Sequence, residues 1–369
     1  MRKSGDLQLL NKNILLTRIM KKIIHKTNIA VLLIFILFQL CWVYGQLDDS
    51  QTITKSGTTA AQFLKIGIGA RGTAMGGAFA AIDGDISSMY WNAAGIASMN
   101  RLETMFVDGD WLAGVRLQYL GFSIPIHRIG VLGLSVTNLS VPEDKVRTIS
   151  EPEGTGEYWG ARDLAANLSF ARKLSDKFSI GGNIKYIQQT IWHASASTYA
   201  ADLGALFETP FNGIRLGASI NNYGGKMKLE GRDQKISVDP DPLNQGNVEF
   251  INANLETDQF PIPLIFRVGL SGELINKQNL RLSYAIDALH PNDNSEYVNL
   301  GMETVFNNLV SIRAGYPSLY KEESIEGPTF GAGLNYRIWR TATILKVDYS
   351  FADFGPLGDV KRISIGFNF

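Results

Sequence analysis

The sequence predicts an all-β transmembrane protein, an antiparallel β-barrel of about fourteen strands with an N-terminal segment that folds inside it as a plug. Three observations support this prediction. Segments with strand-like alternation of side chains follow one another from residue 102 to the C-terminus. The connections between these segments are alternately short and long. The chain also begins with a segment typical of an export signal.

The first 45 residues contain the three parts of a secretory signal peptide. Basic residues precede an apolar run at residues 29–38, and the small residue Gly45 stands where cleavage is expected. The run is short for a membrane helix, which needs about 20 residues, so a transmembrane anchor is the less favoured alternative. We therefore predict a signal peptide at residues 1–45, with Met20 as an alternative start, and export to the outer membrane.

The amino-acid composition excludes several classes of protein. The 369 residues include 35 basic and 35 acidic side chains, and this balance gives no reason to expect a nucleic-acid partner. The only cysteine, Cys41, lies in the predicted signal, where Leu40 replaces the small residue that a lipoprotein cleavage site requires. The mature chain therefore has no thiol for disulfides or for catalysis.

Residues 46–100 do not alternate like strands and are rich in glycine and alanine, as expected of a plug or hatch packed closely against a barrel wall. The glycines of residues 67–72 lack the strand–loop–helix context of a nucleotide-binding loop, so a packing role is predicted. Asp83 and Asp85 could offer oxygen ligands to calcium, but too few further ligands follow them. A tight turn is the favoured interpretation, and no metal site is predicted.

Residues 101–369 are predicted to form the barrel. The clearest strand is the last one, in which Ile363, Ile365 and Phe367 alternate with Ser364 and Gly366. A soluble sandwich alternates in the same way, so periodicity alone does not decide between the two folds. The predicted strands are 102–109, 114–124, 129–140, 161–174, 177–190, 197–208, 213–222, 261–274, 278–289, 296–306, 309–317, 328–339, 342–352 and 361–369.

The connections favour the membrane barrel, because such barrels have short periplasmic turns and longer extracellular loops. The longer predicted loops are alternate connections and would therefore all lie at one end of the barrel. They are 141–160, 191–196, 223–260, 290–295, 318–327 and 353–360. The connection at residues 110–113 belongs to the same side but is short. We therefore predict that both ends of the barrel are periplasmic and that the long loops are extracellular.

No catalytic, metal or cofactor site is predicted. The histidines His127, His193 and His290 are far apart and have no metal-ligand spacing. Proximity of His193 to Ser195 in one segment does not make a catalytic triad, so the protein is not expected to be an enzyme. Aromatic residues near the predicted strand ends suggest interfacial girdles: Trp111, Tyr158, Trp159, Trp192, Tyr316, Tyr320 and Trp339.

Three stretches of the N-terminal region carry a resemblance to a known family. They are Ala-Ala-Gln-Phe-Leu-Lys-Ile-Gly at residues 60–67, Gly-Ala-Arg-Gly-Thr-Ala-Met-Gly-Gly-Ala-Phe at residues 69–79, and Tyr-Trp-Asn-Ala-Ala-Gly-Ile-Ala at residues 90–97. Together they resemble the PorV/PorQ family, a branch of the FadL-like outer-membrane proteins. Ala93 stands where many FadL-like chains have proline. Residues 102–369 match only in architecture.

The resemblance implies a plug inside an outer-membrane barrel, with Phe63, Leu64, Trp91, Asn92 and Gly95 as structurally required positions. It also implies a non-enzymatic role in type IX secretion. Such a protein would bind secreted cargo that carries a C-terminal signal domain, and its partners would be outer-membrane lipid, the translocon and surface attachment subunits. The alternative is a FadL-like channel for hydrophobic small molecules.

A cargo-binding barrel would use apolar anchors surrounded by polar residues on its long loops. The anchors expected on the loops at residues 141–160 and 223–260 are Tyr158, Trp159, Tyr223, Met227 and Leu229.

Overall fold

A computed structural model describes residues 55–211, 213–241, 243, 250–321 and 324–369. The predicted signal peptide, with Met20, Cys41 and Gly45, lies outside the described residues. The helices in the described ranges are all too short or too polar to cross a bilayer.

Fourteen antiparallel strands form a closed barrel, which confirms the predicted fold class and strand number. Each strand pairs with the next one along the chain, and the first pairs with the last through Glu103↔Asn368 to Asp110↔Lys361. The strands are β1 Glu103–Asp110, β2 Arg116–Ile126, β3 Gly130–Ser140, β4 Ala161–Ser175, β5 Phe178–Ile191, β6 Ala194–Glu208, β7 Arg215–Gly224, β8 Ile265–Lys277, β9 Leu280–Pro291, β10 Tyr297–Phe306, β11 Val310–Leu319, β12 Thr329–Arg337, β13 Ile344–Asp353 and β14 Asp359–Asn368.

The outer face of the barrel is apolar, because every second side chain on a strand points outward. Leu120 on β2, Leu134 on β3 and Leu168 on β4 are all more than half exposed, at 58%, 55% and 54%. Large apolar side chains continue this belt around the remaining strands, including Ile184, Leu203, Ile312 and Phe330. An apolar belt that surrounds a closed barrel is the surface that such a fold presents to lipid.

The inward faces of the strands carry small and polar side chains instead. Examples are Ser135, Ser169, Ser219 and Ser271, all of which are buried. These small residues leave space in the lumen, and the chain before β1 occupies that space. We call residues 60–99 the inner segment. It contains two 3₁₀ helices, Gln62–Lys65 and Ala93–Ser98, and two short α-helices, α1 Ala70–Ala74 and α2 Ser88–Trp91.

The connections are sorted by side much as the sequence predicts. One end of the barrel has short turns, such as residues 176–177 and 278–279, and the other has the long connections at 141–160 and 225–264. One prediction is wrong. The loop expected at residues 191–196 is a two-residue turn at Trp192 and His193, because β6 begins at Ala194 and pairs with Ile191.

The described residues of the longest connection fold back over the end of the barrel. Lys226–Lys228 pairs with Gln259–Pro261, and Lys235–Val238 pairs with Ile251–Asn254. Glu230–Gly231 pairs with the first residues of β6 and extends the sheet there. Short 3₁₀ turns occur at Leu112–Gly114, Arg232–Gln234 and Gly355–Leu357, and a two-residue ladder joins Asp144–Lys145 to Tyr158–Trp159.

Candidate ligand cavity

The inner segment contacts inward-facing groups on every side of the barrel. Its backbone amides at Phe79 and Ala80 donate to the Asp287 carboxylate of β9 at 2.7 and 2.8 Å. Across the lumen, the Asn183 amide of β5 donates to the carbonyl of Met89 at 2.8 Å. Further bonds reach β6, β7, β8, β10, β12, β13 and β14. The segment is therefore attached to the wall at many points around the lumen.

Close approach to the wall requires small residues. A side chain at Gly181 of β5 would place its Cβ 2.5 Å from the carbonyl carbon of Ala93. Within the segment, a Cβ at Gly95 would lie 2.7 Å from the carbonyl oxygen of Ile82 and equally close to the Ser88 hydroxyl. Gly95 therefore stands where no larger residue fits without movement of the backbone.

The aromatic residues of the segment lie at its centre. The Trp91 indole N–H donates to the carbonyl of Ile68 at 2.9 Å, and Tyr90 packs edge-on against Trp91 with ring centroids 4.8 Å apart. Phe63 and Leu64 are buried with Ile187 against the wall on the β5 side.

Asn92 is fully buried and joins three parts of the chain. Its amide donates to the carbonyls of Ala80 at 2.7 Å and Ala205 at 3.0 Å, and its side-chain oxygen accepts from the backbone of Ala94 at 3.1 Å. Only an amide can donate and accept in this arrangement.

An ion-pair network fastens the other side of the segment. Arg71 binds Glu303 of β10 with two hydrogen bonds, at 2.8 and 2.7 Å, and Asp85 at 3.0 Å. Glu303 also accepts from Arg313 of β11 at 2.8 Å, and Arg313 reaches Asp348 of β13 at 2.6 Å. Charges of opposite sign alternate along this chain of contacts, so each is partnered where it is buried.

Asp83 and Asp85, which could have offered oxygen ligands to calcium, contribute to this attachment instead. Asp85 binds Arg71 and accepts from the Ser87 hydroxyl at 2.5 Å, and Asp83 pairs with Arg215. Nowhere in the described part of the chain do three His, Cys, Asp or Glu side chains form a group that could hold a metal ion.

A cavity of about 110 Å³ lies between the inner segment and the long-loop end of the barrel. Its lining includes Trp91 from the segment, Leu289 and Tyr297 from the ends of β9 and β10, and Trp111 and Phe354 from loops. Trp111 and Phe354 pack edge-on, with ring centroids 5.2 Å apart. An apolar cavity of roughly 150 Å³ in another protein holds one benzene ring, so this cavity has the size scale of a single-ring ligand.

Two buried arginines also line the cavity, Arg267 of β8 at 3% exposure and Arg362 of β14 at 4%. The Arg267 guanidinium lies over the ring of Trp91 at 5.4 Å, and that of Arg362 lies over Trp111 at 5.1 Å. Sequence reasoning did not single out either residue. Each arginine stands at an inward position of a predicted strand, where most side chains are small or polar, and that position could have marked it. The pattern of one strand does not show, however, which strands face each other across the lumen.

Only some of the loop residues predicted to anchor cargo are exposed. Tyr158, Trp159 and Tyr223 are exposed, at 56%, 39% and 71%. Met227, which was expected to be an exposed anchor, is instead 2% exposed and packs into the core where Lys226–Lys228 folds over the barrel end. Leu229 also differs from this expectation, because it is partly buried against the same core. The Met227 side chain is therefore not available to a partner in this conformation, whereas that of Leu229 is partly exposed.

His193 contacts charged residues of the long loop. Its Nδ1 lies 2.7 Å from Asp233 and its Nε2 lies 2.6 Å from Arg232. Its ring also stacks on Trp192.

Comparison with solved structures identifies the fold. The TodX deltaS2S3 mutant monoaromatic hydrocarbon channel superposes with a TM-score of 0.52 at 13% identity, covering 82% of this chain and 98% of that one. The chain has the fold of a FadL-like outer-membrane β-barrel. Two similar structures are the Pseudomonas putida toluene transporter TodX and the Ralstonia pickettii toluene transporter TbuX. Each has a TM-score of 0.49 at 13% identity and covers 82% of this chain and 97% of its own.

The comparisons of sequence are less informative. The profile of one family, described as an uncharacterised protein family (UPF0164), matches residues 44–199, which is less than half of the chain. No curated protein matches the chain.

Proposed function

We propose that this barrel carries small hydrophobic molecules of about one ring across the outer membrane, and that the cavity above the inner segment binds them. The observation that carries the proposal is the cavity itself, whose walls combine the rings of Trp91, Trp111, Tyr297 and Phe354. Binding sites for small molecules are typically concave and lined by aromatic and apolar side chains, together with polar groups that orient the ligand. The resemblance in fold to a monoaromatic hydrocarbon channel supports the same proposal.

Passage through the barrel requires movement. The inner segment contacts the wall on all sides, so a molecule in the cavity reaches the other end only when the segment shifts or the wall opens. The hydrogen bonds of Asn92, the ion pairs of Arg71, and the ion pair between Lys65 and Asp293 in the connection between β9 and β10 all oppose that shift.

The orientation is part of the proposal. With the short turns in the periplasm, as in other barrels of this kind, the cavity lies on the extracellular side and the inner segment separates it from the periplasm. The predicted signal peptide would direct the chain to export and so to the outer membrane.

The role in type IX secretion stays a prediction from the resemblance of residues 60–97 to the PorV/PorQ family. The partners it implies, which are cargo with a C-terminal signal domain, translocon and attachment subunits, also stay predictions. The exposed rings of Tyr158, Trp159 and Tyr223 are the residues that such a role would use.

Binding of radiolabelled toluene to the purified protein in detergent tests the transport proposal. Trp111→Ala is expected to weaken binding about two- to tenfold, because it removes one aromatic wall. Trp339→Ala is the matched control, since Trp339 is 81% exposed in the connection between β12 and β13 at the opposite end of the barrel. The affinity of this variant for toluene should equal that of the unmodified protein.

A deletion strain separates the two functions. If the deletion strain takes up less toluene while its secreted proteins still reach the cell surface, the transport proposal is supported. Signal-bearing proteins retained in the periplasm, with normal uptake, would replace the transport proposal by the secretion role.

A further inference from the structure

Arg362 has an unusual environment. Its side chain is buried in the cavity wall, and its Nε–H has no hydrogen-bond partner among the residues that the structure describes. Among the described residues, no carboxylate forms an ion pair with it, and its contact is the face of the Trp111 ring. A guanidinium has five N–H donors, and a ring face attracts its charge without satisfying those donors.

Arg267 is similar. One of its terminal nitrogens makes long hydrogen bonds to the carbonyl of Trp91 at 3.4 Å and to Asn221 at 3.3 Å, and its Nε–H has no partner. It too forms no ion pair within the described ranges, and it lies over the faces of Tyr90 and Trp91. Two buried cations therefore line one cavity without a directly bound anion.

Three other charged residues line the cavity, and two of them, Glu326 and Asp353, are carboxylates that form no ion pair with either arginine within the described residues. Lys65 pairs with Asp293 at 3.0 Å, and Glu326 bonds the hydroxyl of Ser318. Asp353 accepts from the backbone of Gly355 at 2.7 Å. Burial of a charge without a bound counter-ion is costly, so an anionic ligand in this cavity would supply charge pairing and hydrogen bonds that the two arginines lack among the described residues.

We infer that the cavity binds a small carboxylate with a single ring, of the benzoate class, rather than a neutral hydrocarbon. This inference rests on the proposed function and adds the charge of the ligand. A guanidinium donates two parallel hydrogen bonds to a planar carboxylate, while Trp91, Trp111 and Phe354 offer faces and edges to a ring. The volume of about 110 Å³ is on the scale of a single ring.

The test compares three probes on the unmodified protein in detergent by calorimetry: sodium benzoate, its neutral isostere benzamide, and toluene. Benzoate is expected to bind about tenfold or more tightly than benzamide, because it has a negative charge and two acceptor oxygens for the guanidinium groups, whereas benzamide is neutral and has one acceptor oxygen and an NH₂ donor. Equal affinities for benzoate and benzamide would overturn the inference, and this comparison needs no variant.

Variants assign the effect to the cavity. Arg362→Met is expected to weaken benzoate about tenfold or more and to leave toluene unchanged. Arg281→Met is the matched control, since Arg281 of β9 also has a buried Nε–H without a partner but does not line the cavity. Benzoate affinity that is unchanged by Arg362→Met, or reduced equally by Arg281→Met, overturns the inference.

The outcome for the proposed function is distinguishable. Binding of toluene without preference for benzoate overturns the anionic ligand and supports the hydrocarbon passage. Absence of binding by all three probes overturns both.

Discussion

At the scale of single residues, the lumen is organised by side chains that satisfy several partners at once. Asn92 is the clearest case, because it holds together two turns of the inner segment and β6 through three hydrogen bonds. Its role could be proposed from the sequence only through the Tyr-Trp-Asn stretch of the family resemblance. The partners Ala80 and Ala205 are 12 and 113 residues away, and nothing in their own identity marks them.

Asn92→Asp is expected to destabilise the folded protein by about 3 kcal/mol or more. The substitution removes both donors and places a buried carboxylate against two carbonyl oxygens. Urea unfolding in lipid vesicles, followed by the shift of the folded band in unheated electrophoresis, measures the effect. Asn100→Asp is the control, because Asn100 is exposed just after the inner segment. Equal stability of the two variants would contradict a structural role for Asn92.

At the scale of elements, the inner segment is attached at its beginning to the connection between β9 and β10. Asp293 is buried there and accepts from the Thr59 hydroxyl at 2.6 Å, the Gln62 amide at 2.8 Å and the Lys65 ammonium at 3.0 Å. Burial alone would raise the pKa of Asp293, but these donors hold that pKa below its usual value. The carboxylate therefore keeps its charge at neutral pH and fixes the segment beside the cavity.

Asp293→Asn is expected to loosen this attachment at pH 7, by about 1.5–3 kcal/mol for the loss of charged hydrogen bonds. Since the pKa is lowered on folding, the stabilisation is complete above the unfolded pKa of about 3.9 and is lost as the pH falls through the folded value. The difference between Asp293→Asn and the unmodified protein should therefore shrink below about pH 4.

Hydrogen exchange of residues 59–65, read by mass spectrometry, measures the loosening. Glu296→Gln is the matched control on the same connection, because Glu296 pairs with exposed His290 and does not contact the inner segment. Faster exchange of residues 59–65 in both variants would show that the effect does not come from the Asp293 contacts.

At the scale of the whole molecule, the apolar belt and the closed hydrogen-bonded ring depend on each other. A strand edge facing hydrocarbon would leave backbone groups without partners, so closure between β1 and β14 is what allows the belt to contact lipid. Leu120 lies in the middle of β2, between Phe106 of β1 and Val136 of β3, and all three are exposed on the outer face.

Leu120→Arg is expected to cost about 2–4 kcal/mol in a bilayer, as for arginine near the midplane of other barrels. Leu174→Arg should cost about 0–1 kcal/mol, because Leu174 is equally exposed, at 56%, but lies at the end of β4 beside a short turn. Urea unfolding in phospholipid vesicles gives both values. Equal costs at the two positions would contradict a lipid-facing belt centred on Leu120.

The sequence by itself determined the strands, their number and the parity of most connections, because alternation with period two is a local property of each segment. It failed at residues 191–196, where small side chains hide the pairing of β5 with β6. It also placed Met227 and Leu229 on the surface, since a polar loop sequence does not show that the loop folds back over the barrel.

Only the tertiary structure decided the cavity and its charge. Arg267 and Arg362 are separated by 94 residues of sequence, and closure of the barrel brings them to one space beside Trp91 and Trp111. The contacts of Asn92 and Asp293 also join distant parts of the chain. The physical reason is the same in each case: a strand pattern fixes which face a side chain occupies, while its partners across the lumen depend on which strands the closed ring and the inner segment bring together.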